Sequence, residues 1–211
     1  MKKGIIFDVD GTLWDAAVQV VDSWNEVLAK HPEAGVTITV QDMNNNMGKT
    51  MDELARAFFP ALGEEERMEL MQECMDYENR YLETHPGVLY PGVRETLIQL
   101  AEEYELYVVS NCQCGYIEVL LKSHSLGEYI RDIECFGNTG LPKGDNIRLV
   151  VERNHLDQCF YVGDTVMDQT ASAMAGVPFV HAAYGYGEVT GAAARLERME
   201  QLPDIAKQLL D

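Results

Sequence analysis

The sequence predicts an α/β chain, a doubly wound parallel sheet interrupted early by an all-helical insertion. Three observations carry this expectation. An apolar run, Ile5-Ile6-Phe7, drives straight into Asp8 and is broken by Gly11, as a buried parallel strand ends. Residues 14–86 show helical periodicity and no strand of their own. From residue 93 onward helices alternate with short apolar runs, which implies parallel strands joined by right-handed crossovers.

Each element follows in order. After the first strand, Asp15 is a good N-cap, and Ala17, Val20, Val21, Trp24, Val27 and Leu28 repeat at helical spacing until His31-Pro32. Residues 33–50 are polar and loop-like, ending in Asn44-Asn45-Asn46 and Gly48-Lys49-Thr50. Helices are expected over about 51–59 and 64–83. The second opens with Glu64-Glu65-Glu66, suited to a helix N-terminus, and its stripe of Met68, Met71, Met75 and Leu82 reads as lobe core. Pro86-Gly87 and Pro91-Gly92 punctuate the return. Strands are then expected at 106–110, 130–136, 159–164 and 177–180, the last opening with a tolerated proline, and a final helix over about 202–210. The chain thus divides into a core, residues 1–13 and 87–211, and a helical lobe, residues 14–86.

Composition narrows the function. At 211 residues and 46% hydrophobic, the chain can bury one core and a modest inserted lobe. Its 16 basic residues face 35 acidic ones, a formal charge of −19, so the surface repels nucleic acid and anionic membranes. An anionic metabolite would also need local positive charge to enter. No apolar run approaches transmembrane length, and Met-Lys-Lys-Gly leads directly into the first strand without a signal peptide. The five cysteines lack CxxC spacing, so reduced thiols and a cytoplasmic location are expected, without a metal role for Cys112-Gln-Cys114.

The chemistry collects at strand ends, where open α/β sheets place ligands. Alternation in an extended chain brings Asp8 and Asp10 to the same side. They repel unless a divalent cation sits between them or one is protonated as half of an acid–base pair; the bland alternative is a polar turn. Asp164 and Asp168 stand four apart where a helix opens, so both can face one point; capping alone would also suit Gly163-Asp164-Thr165. Together these carboxylates make an oxygen-rich site suited to Mg²⁺. Ser110 offers a hydroxyl, and the helix after it free N–H groups, for a phosphate. Lys143, the sole lysine between Lys122 and Lys207, opens a helix where a cation opposes the dipole, a placement that points to function. In the lobe, Lys49 and the three asparagines offer donors for a small polar or anionic substrate tail.

Asp8-Val9-Asp10-Gly11-Thr12, Ser110, Lys143 and Gly163-Asp164-Thr165 with Asp168 resemble, in order and spacing, the four motifs of haloacid dehalogenase-like phosphatases. The helical insertion resembles the cap of the phosphoglycolate phosphatase and β-phosphoglucomutase group. One departure is Gly144, where that group often carries proline. The resemblance implies a Rossmann-like core with a helical cap domain and a Mg²⁺-dependent phosphatase acting on a small phosphorylated metabolite. It implies that Asp8 is the nucleophile and Asp10 the general acid–base residue. Gly11, Thr12, Ser110, Asn111 and Lys143 would bind phosphate. The metal would lie on Asp8, the Asp10 backbone carbonyl and Asp164, with Asp168 supporting. A dehalogenase lacks the second aspartate of the first motif, and a phosphonate-cleaving relative carries alanine there, so Asp10 argues against both. A phosphomutase of the same fold, or a regulatory binder on the same scaffold, are the rival expectations.

Overall fold

The computed structural model describes residues 1–210. Six parallel strands form the main sheet: β1 (Lys3–Phe7), β4 (Glu105–Ser110), β5 (Ile130–Cys135), β6 (Gln158–Gly163), β7 (Phe179–Ala182) and β8 (Ala194–Leu196). Their order is β5-β4-β1-β6-β7-β8. The chain therefore builds outward on one side of β1 and then returns to the other. The strand order reverses at β1, so the crevice beyond its carboxyl end is the topological switch point. Phe7 pairs with Val108 on one side and Val162 on the other, which brings the ends of β4 and β6 level with Asp8.

Side-chain alternation gives the sheet two buried faces. Ile5, Phe7, Val108, Phe160 and Val162 pack toward α5 (Val93–Leu100), α6 (Tyr116–Ser123) and α10 (Leu202–Leu210). Ile6, Tyr107, Val109 and Tyr161 pack toward α8 (Lys143–Asn154) and α9 (Val166–Ala175). Helices cover both faces, as the near-continuous apolar runs of the strands require.

The insertion comprises α1 (Ala17–Leu28), α2 (Val40–Asn44), α3 (Met51–Phe58) and α4 (Glu64–Leu82). Met71 and Leu82 are fully buried and Met75 nearly so, with Met68 half-buried beside them, as the stripe predicts. Among the described residues no helix is long and apolar enough to cross a membrane.

The structure corrects the expected elements in several places. Residues 14–86 are not free of strand: β2 (Trp14–Asp15) pairs antiparallel with β3 (Val88–Leu89), so a two-stranded ribbon closes the neck of the insertion. Within the expected loop, Thr39 and Asp42 bond reciprocally and start the five-residue α2. Asp15 stands one place before the N-cap, its carboxylate accepting the Ala17 N–H at 3.0 Å. Helix α1 stops at Leu28, ahead of a 3₁₀ turn over Pro32–Ala34. A four-residue helix, α7 (Phe136–Thr139), follows β5, and β8 adds a sixth strand beyond the five expected.

Candidate active site

Asp8 follows β1 immediately, and its N–H donates to Val162 O at 2.8 Å, so backbone pairing carries on to the aspartate itself. The side chain is buried, with Oδ1 3.0 Å from Lys143 Nζ. Lys143, the first residue of α8, also donates to Asp168 Oδ1 at 2.6 Å and is 4% exposed. The lysine that opposes its helix dipole is thus held by two carboxylates, one fewer than its three N–H donors can serve.

Asp164 and Asp168 divide the work at the start of α9. Thr165 Oγ1 accepts the Asp168 N–H, and Asp168 Oδ2 accepts the Thr165 N–H at 3.0 Å, so this pair caps the helix. The Asp164 N–H also donates to Asp168 Oδ2, at 3.3 Å, but its side chain is left out of the cap. Its Oδ2 accepts the Tyr186 N–H at 2.7 Å, while its buried Oδ1 has no hydrogen-bond partner. Of the two expected roles, capping falls to Thr165 and Asp168 and leaves the Asp164 carboxylate free of it. Gly11, at φ +80°, and Gly185 press on the Asp164 carboxylate; a Cβ on either would collide with it.

Asp8, Asp164 and Asp168 each place a carboxylate oxygen within 4.8 Å of the others'. Three carboxylates face one ammonium in a buried space. The orphaned Asp164 oxygen, and the Asp8 oxygen that lies 3.0 Å from Lys143 Nζ, are the hard donors that a divalent cation takes. These residues can hold a metal ion.

The electrostatics agree. Burial pushes the Asp8 carboxyl up to about 7, with Asp168 adding to the effect and Lys143 opposing it. Burial, then Asp168 and Asp8, push Asp164 up to about 8. Burial also acts to raise Asp168, but Lys143 and Thr165 outweigh it and hold that carboxyl below its ordinary range. For Lys143, burial alone would favour the neutral amine; Asp168 and Asp8 overcome it and hold the ammonium above its usual range.

An ordinary aspartate has a value of 3.8, whereas folded Asp8 and Asp164 titrate near 7 and 8. Between these limits the folded state keeps protons that the unfolded chain has released, so stability present at the acidic end is lost as pH rises. Metal-free protein should therefore melt at a lower temperature near pH 8 than near pH 6. Added Mg²⁺, competing with those protons, should raise the Tm more at the higher pH. A metal-dependent rise in Tm that is equal at both pH values would show that these carboxylates do not carry the bound protons.

Asp10 lies in a different setting. Its Oδ1 accepts the Tyr116 O–H at 2.8 Å and the Trp14 indole N–H at 3.1 Å. Burial raises this carboxyl to about 6 against those two bonds. Asp8 and Asp10 border the same space but share no hydrogen-bond partner.

Asp8, Asp10, Ser110, Asn111 and Lys49 all line one crevice between the sheet's carboxyl edge and the insertion. Ser110 ends β4 and is nearly buried. Asn111 donates its side-chain amide to Gly48 O at 2.8 Å, bridging to the insertion. Lys49 Nζ donates to Asn46 Oδ1 at 2.7 Å. Thr12 is buried beneath the crevice, its hydroxyl without a partner. Sequence reasoning missed Trp14, Tyr116 and Tyr186, which hold the acidic groups, and Glu78 of α4, which lines the crevice from the insertion. Burial pushes Glu78 up to about 7 against N–H bonds from Gln113 and Trp24.

A family model described as haloacid dehalogenase-like hydrolase matches residues 5–182. A plasmid phosphoglycolate phosphatase of Cupriavidus necator is 27% identical over 94% of this chain and 90% of its own length. A phosphoglycolate phosphatase of Agrobacterium fabrum is 30% identical over 87% of this chain and 82% of its own. The crystal structure of a predicted phosphoglycolate phosphatase from Haemophilus somnus superposes with a TM-score of 0.84 at 23% identity, covering 97% of each chain.

Proposed function

Because the chain belongs to the haloacid dehalogenase-like hydrolase family, a phosphoric monoester hydrolase of the phosphoglycolate phosphatase-like group, we propose that it hydrolyses a small phosphorylated metabolite, phosphoglycolate-like or a sugar phosphate, through an aspartyl-phosphate on Asp8. One observation supports this above the others. Two aspartates face the same crevice in environments that separate their chemistry, Asp8 against an ammonium and Asp10 against an indole and a phenol.

In this reading Ser110 and Lys143 bind the phosphoryl oxygens beside the Gly11-Thr12 turn. Asn111 keeps the neighbouring loop in place through its bond to Gly48. A carboxylate meeting a phosphate at ~4 Å carries a like-charge penalty of ~4 kcal/mol per charge pair at an effective dielectric near ~20. Lys143 offsets part of it. Asp8, Asp164 and the Asp10 carbonyl, with Asp168 supporting, would hold Mg²⁺, which supplies the remaining positive charge and favours ionised Asp8. An Asp8 oxygen attacks phosphorus as the ester bond breaks, and Asp10 gives its proton to the departing alcohol. Asp10, now a base, takes a proton from water, which attacks the same phosphorus; the aspartyl–phosphate bond breaks, releasing phosphate and restoring both aspartates. A carboxyl poised near 6 suits a group that must act as acid and then as base.

The test is phosphate release from p-nitrophenyl phosphate by purified protein. Mg²⁺ should support turnover, EDTA should abolish it, and Ca²⁺, looser in its geometry, should bind yet sustain little. Undiminished turnover in EDTA would overturn the metal assignment, and no turnover of any phosphomonoester would overturn the enzyme.

A further inference from the structure

Glu78 is an unusual wall for an anion-processing crevice. It is 3% exposed, on the inner face of α4, and lines the same space as Asp8 and Asp10. Its Oε2 accepts the Trp24 indole N–H, and its Oε1 accepts the Gln113 amide at 2.8 Å. Among the described residues no cation forms an ion pair with it, and Asp10 acts on it repulsively. A buried carboxylate without a cation is costly, and an apolar residue would serve the lobe core better. Most of the insertion's side of the crevice is apolar, with Val20, Met43, Met47, Met51 and Leu54 around Trp24.

We infer that Glu78 makes the leaving-group end of the crevice select phosphomonoesters whose alcohol carries a hydrogen-bond donor, a hydroxyl or an ammonium, over those whose alcohol carries a carboxylate. This rests on the phosphatase reading, which sets the phosphoryl group against Asp8 and Ser110 and sends the alcohol toward the insertion, and it narrows the substrate to the sugar-phosphate side of that reading, away from phosphoglycolate itself. There it meets a carboxylate whose two oxygens have each used one acceptor position and keep another. An indole N–H can only donate, so the oxygen facing Trp24 stays an acceptor. Above pH ~7, where Glu78 is ionised, a donor on the substrate completes this set, whereas a substrate carboxylate finds a like charge and no donor from Glu78. Lys49 acts in the opposite sense, but it is half-exposed and already donates to Asn46, so solvent screens its charge more than that of Glu78.

The test compares kcat/KM at pH ~8, with Glu78 ionised, for O-phosphoethanolamine, glycerol 1-phosphate and 2-phosphoglycolate, with p-nitrophenyl phosphate as a reference ester. Wild-type protein should favour the first two over 2-phosphoglycolate by tenfold or more. Glu78→Gln keeps the shape, since its carbonyl can accept from Trp24 and its amide can donate to Gln113 once that side chain turns over. It should shrink the preference at least tenfold, a change that a purely structural role would not produce. A wild-type preference for 2-phosphoglycolate, or an unaltered ratio in Glu78→Gln, would overturn the inference. If p-nitrophenyl phosphate is still hydrolysed in an EDTA-sensitive way, the inference falls alone; if no ester turns over, both readings fall. Should Glu78→Gln fail to fold, the wild-type ratio decides.

Discussion

Asp8→Asn is expected to reduce phosphate release to background for every ester while leaving the metal-free protein at least as stable. The two halves share one cause. Asn lacks an ionisable oxygen to attack phosphorus, and no other carboxylate occupies the place beside Lys143 that also lines the crevice. The same replacement removes one of three mutually repelling carboxylates from a buried cluster. Lys143 keeps its 2.6 Å partner Asp168, so the ammonium is not stranded. Loss of function with unchanged or higher Tm is the mark of a site strained for chemistry. Steady-state kinetics and thermal melting without metal check both halves. Turnover surviving in Asp8→Asn would remove Asp8 from the nucleophile's role, and a collapse in Tm would show its charge to be structural.

The parts legible in the sequence were those in which a local pattern violated a local preference. Two aspartates closing an apolar run, and a lysine opening a helix, make poor sense as stability features, and the fold takes Asp8 and Lys143 into one ion pair. The parallel sheet was legible because strands buried on both faces must be continuously apolar. Strand β8 was not, because Ala194-Arg195-Leu196 is a three-residue edge with no periodicity to read. The ribbon of β2 and β3 is likewise two residues per strand, and only pairing across the neck of the insertion defines it. Glu78 sits in a helix whose other acids are mostly exposed; it is distinguished by Trp24 and Gln113, 54 and 35 residues away. Tyr116 reaches Asp10 across 106 residues. Such partners carry no local signature, since topology alone brings them together.

Asp10→Asn should lower turnover of an alkyl ester such as glycerol 1-phosphate by ~10²–10⁴-fold, the usual contribution of a positioned acid–base group. The amide oxygen can still accept from Tyr116 and Trp14, so the loop should hold its shape. The two chemical steps should then separate. Nitrophenolate leaves with little help from an acid, so attack by Asp8 on p-nitrophenyl phosphate should be largely spared. Water still needs a base to reach the aspartyl-phosphate, so the second step should stall. Rapid mixing of Asp10→Asn with p-nitrophenyl phosphate should therefore give a burst near one equivalent of nitrophenol, followed by slow release. Wild-type protein, with Asp10 poised near 6, should show a smaller burst or none. Equal loss on both esters without a burst would place Asp10 before the first step, as a group that positions Asp8 or substrate rather than one that moves the proton. Retained activity in Asp10→Asn alongside inactive Asp8→Asn would leave the nucleophile standing and require another base, and the reverse pattern would exchange the two roles.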